Sequence, residues 1–491
     1  MRKAEIIRSG LWLYISSFIV SLLGFVFWFT VSIIAGSDIL GVTSAVISMY
    51  VLISSFTCLG INYGLQRFLG YYSGRGDNVS LRKCFWSIFY ISIFLYGIAS
   101  FIIYVLSYSG YRLPNFTDDM MRITSLITIF GISIVFQALF IGLVKTHLLL
   151  LSNLIGNILR FVVGIYLILI GWSWLGATIG YMLVPLTLII VGLVYGFRYI
   201  GSPVKIDTGI VREVIIAGLA SWIPMIIMVA GQWISVLFVY GYSSASMTGY
   251  YYIAFMVSLV VIFLGNSLAQ LLLPVLSGMS NKRKETTSWI IKVGLVVMTP
   301  IAVFVALYPR LLLGLLGKEY SVAGPILTIL IASSVPIVIT TSIMNLVYAY
   351  GRYRDVAFIG LTQNIPRLIL YILLVPMYGG LGSAIAFTFG GYTGLLGAIY
   401  TGLKHGFRLS FKEITKIVII PLVPSLAIYF LLNNWVLSLA TIIIVVVIGY
   451  PRLKVLTKHD IYELSQALYF YRTAKTIYNR FKPLFDKLFI E

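Results

Sequence analysis

The sequence predicts an all-α polytopic membrane protein with about fourteen transmembrane helices, namely two six-helix lobes from a parallel internal repeat plus two additional helices. Three observations predict this class: the hydropathy of the chain, the alternation of its basic loops and an internal repeat. Of the 491 residues, 60% are hydrophobic and only 10% are charged, and the mean hydropathy is +1.00. Soluble domains carry about 25% charged residues, so a chain this apolar could not cover a surface that faces water.

The apolar runs have the length of membrane-spanning helices. A helix needs about 20 apolar residues to cross a hydrocarbon core about 30 Å thick. Cut at polar or charged clusters, the sequence predicts spans at 11–35, 42–63, 84–108, 121–143, 148–171, 175–196, 214–240, 249–273, 287–308, 322–347, 356–376, 382–402, 415–431 and 435–450.

The net charge of +20 lies mainly on one side of this map. With the N-terminus inside, the even-numbered connections carry Lys and Arg, whereas the connections at 36–41, 172–174 and 377–381 carry none. This positive-inside pattern predicts a multi-pass protein of the plasma membrane with both termini in the cytoplasm. Since no soluble domain presents a basic surface, nucleic acid is not expected as a partner.

An internal repeat is visible in the sequence. Asn157-Ile-Leu-Arg160 recurs as Asn364-Ile-Pro-Arg367 at an offset of 207 residues, and a Leu-Gly-small triplet at 175–177 recurs at 381–383. Each copy has an even number of spans, so both copies enter the membrane from the same side, and a pseudo-twofold axis along the membrane normal relates them. The predicted division is an N-terminal lobe at 1–200, a C-terminal lobe at 201–405, two additional helices at 406–450 and a basic cytoplasmic tail at 451–491.

The repeat predicts two arginines near the middle of the membrane. Arg160 lies twelve residues into its span and Arg367 eleven residues into its own, which is about 18 Å along a helix for Arg160. A charge at this depth costs about 2.5–3.5 kcal/mol on insertion scales. Asn153, Asn157 and Arg160 share one helix face, as do Asn364 and Arg367. We therefore expect these side chains to line a wet cationic cavity between the lobes that binds the substrate.

Other polar residues in the predicted spans have two interpretations each. Arg67 lies at the inner end of the second span, either at the mouth of the cavity or extended to the membrane interface, and Gln232 is a cavity residue or an interhelical hydrogen-bonding group. Arg160 and Arg367 could instead hold carbonyl groups within their own lobes. Lys292 is expected to extend to the inner interface. The tail is predicted to lie as a basic amphipathic segment on anionic lipid, with a solvated tail as the alternative.

Enzymatic chemistry is not predicted. The three histidines lack metal-ligand spacing, and Asp118 and Asp119 follow Thr117 at the start of a span, where capping of a helix N-terminus explains them. No cofactor or metal is expected. The predicted spans contain no Asp or Glu, and a carrier of cationic drugs normally needs such a group. A cationic interior without acids favours an anionic cargo, because planar guanidinium matches phosphate oxygens.

The chain resembles the O-antigen-type and polysaccharide-biosynthesis flippases of the multidrug/oligosaccharidyl-lipid/polysaccharide exporter superfamily. The similarity covers about residues 1–430. The segments that carry it are Gly60-Ile-Asn-Tyr-Gly-Leu-Gln-Arg67-Phe, Thr248-Gly249-Tyr250-Tyr251, Leu315-Leu316-Gly317-Lys318-Glu319-Tyr320 and Leu374-Val-Pro376-Met-Tyr-Gly379-Gly-Leu-Gly382-Ser-Ala384.

This resemblance implies alternating access between two six-helix lobes and a polyprenyl-(di)phosphate-linked oligosaccharide as the substrate, moved from the inner to the outer leaflet. The partners would be that substrate, membrane lipids and other glycan-assembly proteins. A cation-coupled multidrug exporter of the same superfamily is the alternative. A membrane scaffold or a glycan-assembly enzyme is a third reading, from a different class.

Overall fold

The computed structural model describes residues 3–110, 114–267, 269, 276, 279, 281–457 and 460. The described residues form helices and no strands, which confirms the predicted all-α class. The helices are α1 Lys3–Thr57, α2 Ile61–Arg75, α3 Asn78–Leu106, α4 Asp118–Thr128, α5 Ser133–Gly142, α6 Thr146–Leu167, α7 Ser173–Ile200, α8 Thr208–Tyr242, α9 Ala245–Asn266, α10 Arg283–Leu307, α11 Pro309–Gly314, α12 Gly324–Ala332, α13 Ser334–Ala349, α14 Tyr353–Lys404, α15 Phe411–Leu432 and α16 Trp435–Arg452. A 3₁₀ turn at Ile129–Ile132 joins α4 to α5, another at Lys318–Ala323 precedes α12, and a π turn at Ile168–Trp172 joins α6 to α7.

Eleven helical stretches among the described residues are long and apolar enough to cross a membrane. Three of them contain a break, because the backbone leaves the helical region at Gly36 (φ 78°), Gly171 (φ 95°) and Gly379 (φ 54°). Unbroken, α1 would be about 80 Å long at 1.5 Å per residue, far more than a hydrocarbon core about 30 Å thick. Each of the three stretches therefore supplies two crossings, which is consistent with about fourteen spans.

Two of these breaks reverse the chain. A Cβ added to Gly180 of α7 would lie 2.7 Å from Cα of Gly164 in α6, so the two helices touch backbone to backbone. In α14, the Arg367 guanidinium donates to the carbonyl of Phe387, twenty residues later. Glycine is required at such contacts because any side chain would separate the helices.

At the end of the bundle that contains Gly36, α1 and α9 cross at equivalent positions of the repeat. An added Cβ at Gly41 would lie 1.9 Å from the carbonyl oxygen of Ala245, and one at Gly249 would lie 2.1 Å from that of Ser37. Gly249 lies 208 residues after Gly41, and Ala245 lies 208 residues after Ser37. A reciprocal contact of this kind is expected around a pseudo-twofold axis. The division into lobes remains a prediction that this contact supports.

A second close contact lies at the opposite end, which carries most of the basic residues and which we call the basic end. There α2 packs against the first half of α8. A Cβ at Gly64 would lie 2.1 Å from the carbonyl oxygen of Val214, and one at Gly218 would lie 2.2 Å from that of Gly60. The two predicted lobes thus touch through backbone at both ends of the molecule.

The outer surface of the helices is apolar. Large hydrophobic side chains are exposed along the helix flanks, including Phe94 and Phe101 of α3, Leu169 of the π turn and Phe430 of α15. A water-facing protein rarely exposes a continuous apolar surface, whereas lipid tails favour one. The protein is therefore a multi-pass membrane protein.

One detail differs from the sequence-based expectations. The second span was predicted to stop at residue 63, but the chain bends at Gly60 (φ 75°) and continues as α2 to Arg75. Lys292, which was expected to extend to the inner interface, has its ammonium 2.6 Å from Oδ2 of Asp460, which also accepts a hydrogen bond from the Thr457 amide. The expected cap of α4 is confirmed, since Oγ1 of Thr117 accepts from the Met120 amide. Most of the predicted tail, 461–491, lies outside the described residues.

The Lys292–Asp460 ion pair predicts a stability effect. The Asp460 side chain is only 6% exposed and that of Lys292 18%, so Lys292→Met leaves a buried carboxylate without its cation. We expect the free energy of unfolding to fall by about 3 kcal/mol, measured as a lower Tm in detergent. Arg452→Met removes an exposed cation near the same end and is expected to leave Tm unchanged. An equal Tm for both variants would contradict the prediction.

Candidate functional site

A cavity of about 420 Å³, lined by both polar and apolar side chains, lies among helices of the first 200 residues. It is open on one side, and its walls come from α1, the α4–α5 stretch, α6 and α7. The lining residues are Ser16, Val20, Ser21, Tyr50, Ser133, Gln137, Leu149, Asn153, Asn157, Arg160, Tyr181, Val184, Pro185 and Leu188. A cavity of this size matches a small-molecule group rather than a single ion.

Among the described residues, Arg160 is the one cation in the wall of this cavity. Its side chain is 5% exposed and projects from the middle of α6. The guanidinium carbon lies 4.2 Å from the ring centroid of Phe27 and 4.8 Å from that of Tyr181. Rings at these distances stabilise a cation through their π faces, and they hold the guanidinium plane beside the cavity.

Two nitrogens of the Arg160 guanidinium have no hydrogen-bond acceptor among the described residues. Its Nε and Nη2 atoms are buried and make no hydrogen bond within the described part of the chain, and Oδ1 of Asn157 is also unpaired. Guanidinium carries five N–H donors and no acceptor, and a buried donor without a partner is costly. The unpaired guanidinium N–H groups are donors, and an anionic oxygen of a ligand beside Arg160 would supply the missing acceptor, whereas Oδ1 of Asn157 is itself an acceptor.

The remaining polar wall is held by hydrogen bonds among its own residues. Asn153 donates to Oγ of Ser16, 2.8 Å away, and so ties α6 to α1. Asn157 donates from Nδ2 to the carbonyl of Asn153, also at 2.8 Å. The side-chain oxygen of Asn157 takes no part in this bond. Asn153, Asn157 and Arg160 thus share a cavity, as the helix spacing predicts.

Arg367 has a different environment. Its Nη1 donates to Oδ1 of Asn364 at 3.1 Å and its Nη2 to the carbonyl of Phe387 at 3.1 Å. The guanidinium carbon lies 4.1 Å from the Phe387 ring centroid, and the side chain is only 3% exposed. The Arg160 cavity does not include Arg367 in its wall. The structure therefore does not bring the two arginines into one shared chamber, contrary to the sequence-based expectation.

A glycine in α14 explains part of this difference. A Cβ at Gly390 would lie 2.7 Å from Nε of Arg367, so the missing side chain makes room for the guanidinium. At the repeat offset of 206, the counterpart of Gly390 is Val184, which lines the cavity beside Arg160. Val184 therefore carries an isopropyl group at the position where the second copy has only the hydrogen of Gly390.

The other predicted site residues lie elsewhere. Asn364 is buried against α8, where a Cβ at Gly231 would lie 1.7 Å from its Oδ1, and Gln232 is partly buried on the same helix. Arg67 is exposed on α2 at the basic end and lines a separate cavity of about 520 Å³ with Tyr71 and Glu213. Neither Arg67, Gln232 nor Asn364 reaches the wall of the Arg160 cavity in this structure.

Several wall residues carry no signal in the sequence that singles them out. Tyr50, Ser133 and Gln137 come from helices that the repeat motif does not mark. Tyr181 could have been found, because it lies 206 residues before Phe387. Both aromatic rings pack on the arginine of their own copy, at 4.8 Å and 4.1 Å from the guanidinium carbon.

The contacts of Arg367 predict a structural effect of its removal. Arg367→Met leaves Oδ1 of Asn364 without a donor in a buried region and removes one donor from the Phe387 carbonyl, and an unsatisfied buried group costs about 1–3 kcal/mol. We expect the free energy of unfolding to fall by about 1–3 kcal/mol, measured by thermal unfolding in detergent. Arg160→Met is the matched control, since no acceptor among the described residues loses a hydrogen bond from Nε or Nη2 there. The reverse order of stabilities would contradict this assignment.

Comparisons with known proteins agree with this fold. A family profile described as "Polysaccharide biosynthesis protein" matches residues 14–325. A curated relative, an uncharacterised membrane protein of Methanocaldococcus jannaschii, is 30% identical over 154 residues, which is 30% of each chain. The chain therefore matches about a third of that relative's length.

Among solved structures, the lipid II flippase MurJ in an inward closed conformation has a TM-score of 0.75 at 15% identity, covering 90% of this chain and 99% of its own. An inward-facing multidrug resistance MATE family transporter of the MOP superfamily has a TM-score of 0.58 at 12% identity, and the match covers 78% of this chain and 94% of the transporter. An outward-facing transporter of that description has a TM-score of 0.53 at 13% identity, and the match covers 82% of this chain and 95% of the transporter. At these identities the likeness shows the fold that the chain shares with this superfamily.

Proposed function

Because this chain belongs to the polysaccharide biosynthesis protein family, we propose that it is a flippase for a lipid-linked saccharide with a phosphate or diphosphate group. It would move this substrate from the inner to the outer leaflet of the plasma membrane by alternating access. The observation that carries the proposal is the buried Arg160 guanidinium, which borders a cavity of about 420 Å³ and has two nitrogen atoms, Nε and Nη2, without hydrogen-bond acceptors among the described residues.

The chemistry of Arg160 suits a phosphate. A planar guanidinium binds two phosphate oxygens at once, and this pairing is stronger and more directional than a lysine contact. The surrounding rings of Phe27 and Tyr181 exclude water from one side of the cation, which strengthens its attraction for an anion. Asn153 and Asn157 supply amide groups on the same wall and would bind the phosphate or the first sugar hydroxyls.

The driving force follows from the charge of the substrate. With the cell interior negative, outward movement of each negative charge gains about 2.3 kcal/mol per 100 mV of membrane potential. A diphosphate would gain more than a phosphate. The lipid tail would remain in the bilayer beside the apolar helix flanks while the head group passes through the protein.

The fold also supports a second candidate, a cation-coupled multidrug exporter, because multidrug transporters of the MOP superfamily share the architecture. A cationic drug needs an acidic group in its site, whereas the wall of the Arg160 cavity contains an arginine and neutral polar residues. The wall therefore favours an anionic cargo. Efflux of a cationic dye from proteoliposomes under an imposed proton or sodium gradient would favour the exporter.

The deciding experiment uses the purified full-length protein in proteoliposomes with a fluorescent polyprenyl diphosphate–sugar. The flipped fraction is measured by quenching with a reducing agent that does not cross the membrane. We expect faster flipping than in protein-free vesicles, accelerated by a potential that is negative inside. Flipping at the protein-free rate would overturn the proposal, and sugar transfer between added substrates would favour the enzymatic reading instead. A pull-down would test whether other glycan-assembly proteins bind.

A further inference from the structure

A separate cationic pocket lies at the basic end, and its lining residues come from a later part of the sequence than those of the Arg160 cavity. It has a volume of about 300 Å³ and is lined by Lys284, Tyr350, Arg352 and His405. These residues come from the first turn of α10, the end of α13, the residue before α14 and the residue after α14. Four helix ends thus meet around one concave surface, at the level where the helices leave the membrane.

The carboxylate that contacts the lining residue His405, that of Asp355, is already neutralised. Oδ1 of Asp355 lies 3.0 Å from Nζ of Lys404, and its Oδ2 lies 2.7 Å from Nε2 of His405. These contacts fix the His405 ring at the pocket wall. Because Lys404 already balances its charge, Asp355 does not offset the charges of Lys284 and Arg352.

Lys284 and Arg352 are the two cations that remain. Both side chains are exposed, and neither has a carboxylate within ion-pair distance among the described residues. A third cation, Arg283, directly precedes Lys284 in α10. It is held by a 2.7 Å hydrogen bond to the Met279 carbonyl, and its guanidinium carbon lies 5.4 Å from the ring centroid of Tyr350. The pocket therefore carries an excess of positive charge.

The backbone makes room for this arrangement. Gly351 and Gly406 both adopt positive φ, 71° and 70°, at the turns that flank α14. A Cβ added to Gly406 would lie 2.9 Å from Nζ of Lys284, so any side chain there would push the ammonium away from the turn. The concave shape thus depends on two backbone conformations that residues with side chains adopt poorly.

We propose that this pocket binds a phosphate group at the inner membrane interface, either the phosphodiester of an anionic lipid or a free phosphate compound. Phosphate oxygens would accept from Lys284 and Arg352, with the Tyr350 hydroxyl and the His405 ring at the sides of the pocket. Basic pockets between the cytoplasmic ends of membrane helices suit lipid head groups, and charge-assisted contacts to phosphate are the strong kind. None of the four lining residues belongs to the Arg160 cavity, so the site stands whether or not the protein is a flippase.

The test uses the full-length protein in nanodiscs of phosphatidylcholine. One arm titrates inorganic pyrophosphate and measures binding calorimetrically. The other arm replaces part of the lipid with phosphatidylglycerol and counts bound molecules by native mass spectrometry. The double variant K284Q/R352Q removes the two unpaired cations. The control R354Q/K412Q removes two exposed cations from the same end that do not line the pocket.

We expect at least one probe to bind wild type and the control within about twofold of each other, and K284Q/R352Q to bind it about tenfold more weakly. Binding in the lipid arm alone identifies a lipid site, binding in the pyrophosphate arm alone identifies a site for free phosphate compounds, and mutual competition identifies one site that takes both. Absence of binding in both arms would overturn the proposal. An equal loss in the two double variants would also overturn it, because general surface charge would then explain the binding.

Discussion

Replacing Arg160 by methionine is expected to reduce flipping at least about 100-fold without lowering thermal stability. The side chain is buried, its Nε and Nη2 have no acceptors among the described residues, and its guanidinium packs on the rings of Phe27 and Tyr181. Removing an unpaired charge from the membrane interior regains about 2.5–3.5 kcal/mol and loses about 1–2 kcal/mol of cation–π attraction. Tm should therefore stay level or rise while the flipping rate falls.

Two further variants make this prediction sharper. Arg160→Lys keeps the positive charge but loses the planar fork that binds two phosphate oxygens, and we expect an intermediate flipping rate. Arg67→Gln removes a cation from the separate cavity on α2 and should change the rate less than Arg160→Met does. Flipping at the wild-type rate by Arg160→Met, in a protein that is folded by its Tm, would remove Arg160 from the mechanism.

A methyl group at Gly41 is expected to force apart the lobe contact at the end that contains Gly36. The added Cβ would lie 1.9 Å from the Ala245 carbonyl oxygen, a distance that neither backbone can accommodate without moving. We expect Gly41→Ala to shift the molecule towards the state that is open at this end and to reduce flipping at least about tenfold. The measurement is the distance between spin labels on Tyr108 and Leu315, which should increase.

Gly64→Ala is the matched variant at the basic end, where the added Cβ would lie 2.1 Å from the Val214 carbonyl oxygen. It should lengthen the distance between labels on Val79 and Arg354 and leave the Tyr108–Leu315 distance unchanged or shorter. Both variants must also be compared by Tm, since a partly unfolded protein would lengthen both distances. Label distances equal to those of wild type in both variants would contradict a role for these glycine contacts in closing the two ends.

The sequence predicts the membrane class, the approximate number of crossings and the depth of Arg160, because hydropathy, loop charge and helix spacing are local properties. It also predicts that Asn153, Asn157 and Arg160 share a face, and the structure brings these three into one cavity. The unlike surroundings of Arg160 and Arg367 are not predictable from the repeat motif. They depend on Gly390, which approaches Arg367 only after α14 has folded back on itself.

Other features escape sequence reasoning for similar reasons. The α2 helix is rich in Tyr, Gly and Arg, so it lacks the apolar run that marks a span, and it is fixed instead by the packing of Gly64 on α8. The partner of Lys292 is Asp460, 168 residues later. No spacing rule connects residues so distant, because the pairing depends on how the chain after α16 returns to α10.

The most direct test of the proposed site is photocrosslinking with a polyprenyl diphosphate–sugar that carries a diazirine next to the diphosphate. The purified protein is irradiated in nanodiscs, and the modified peptides are identified by mass spectrometry. Crosslinks to α6 and α7 around Asn153, Asn157 and Tyr181, lost in Arg160→Met, are the expected result. Crosslinks confined to other helices, or unchanged in Arg160→Met, would contradict binding of the phosphate by Arg160 in this cavity.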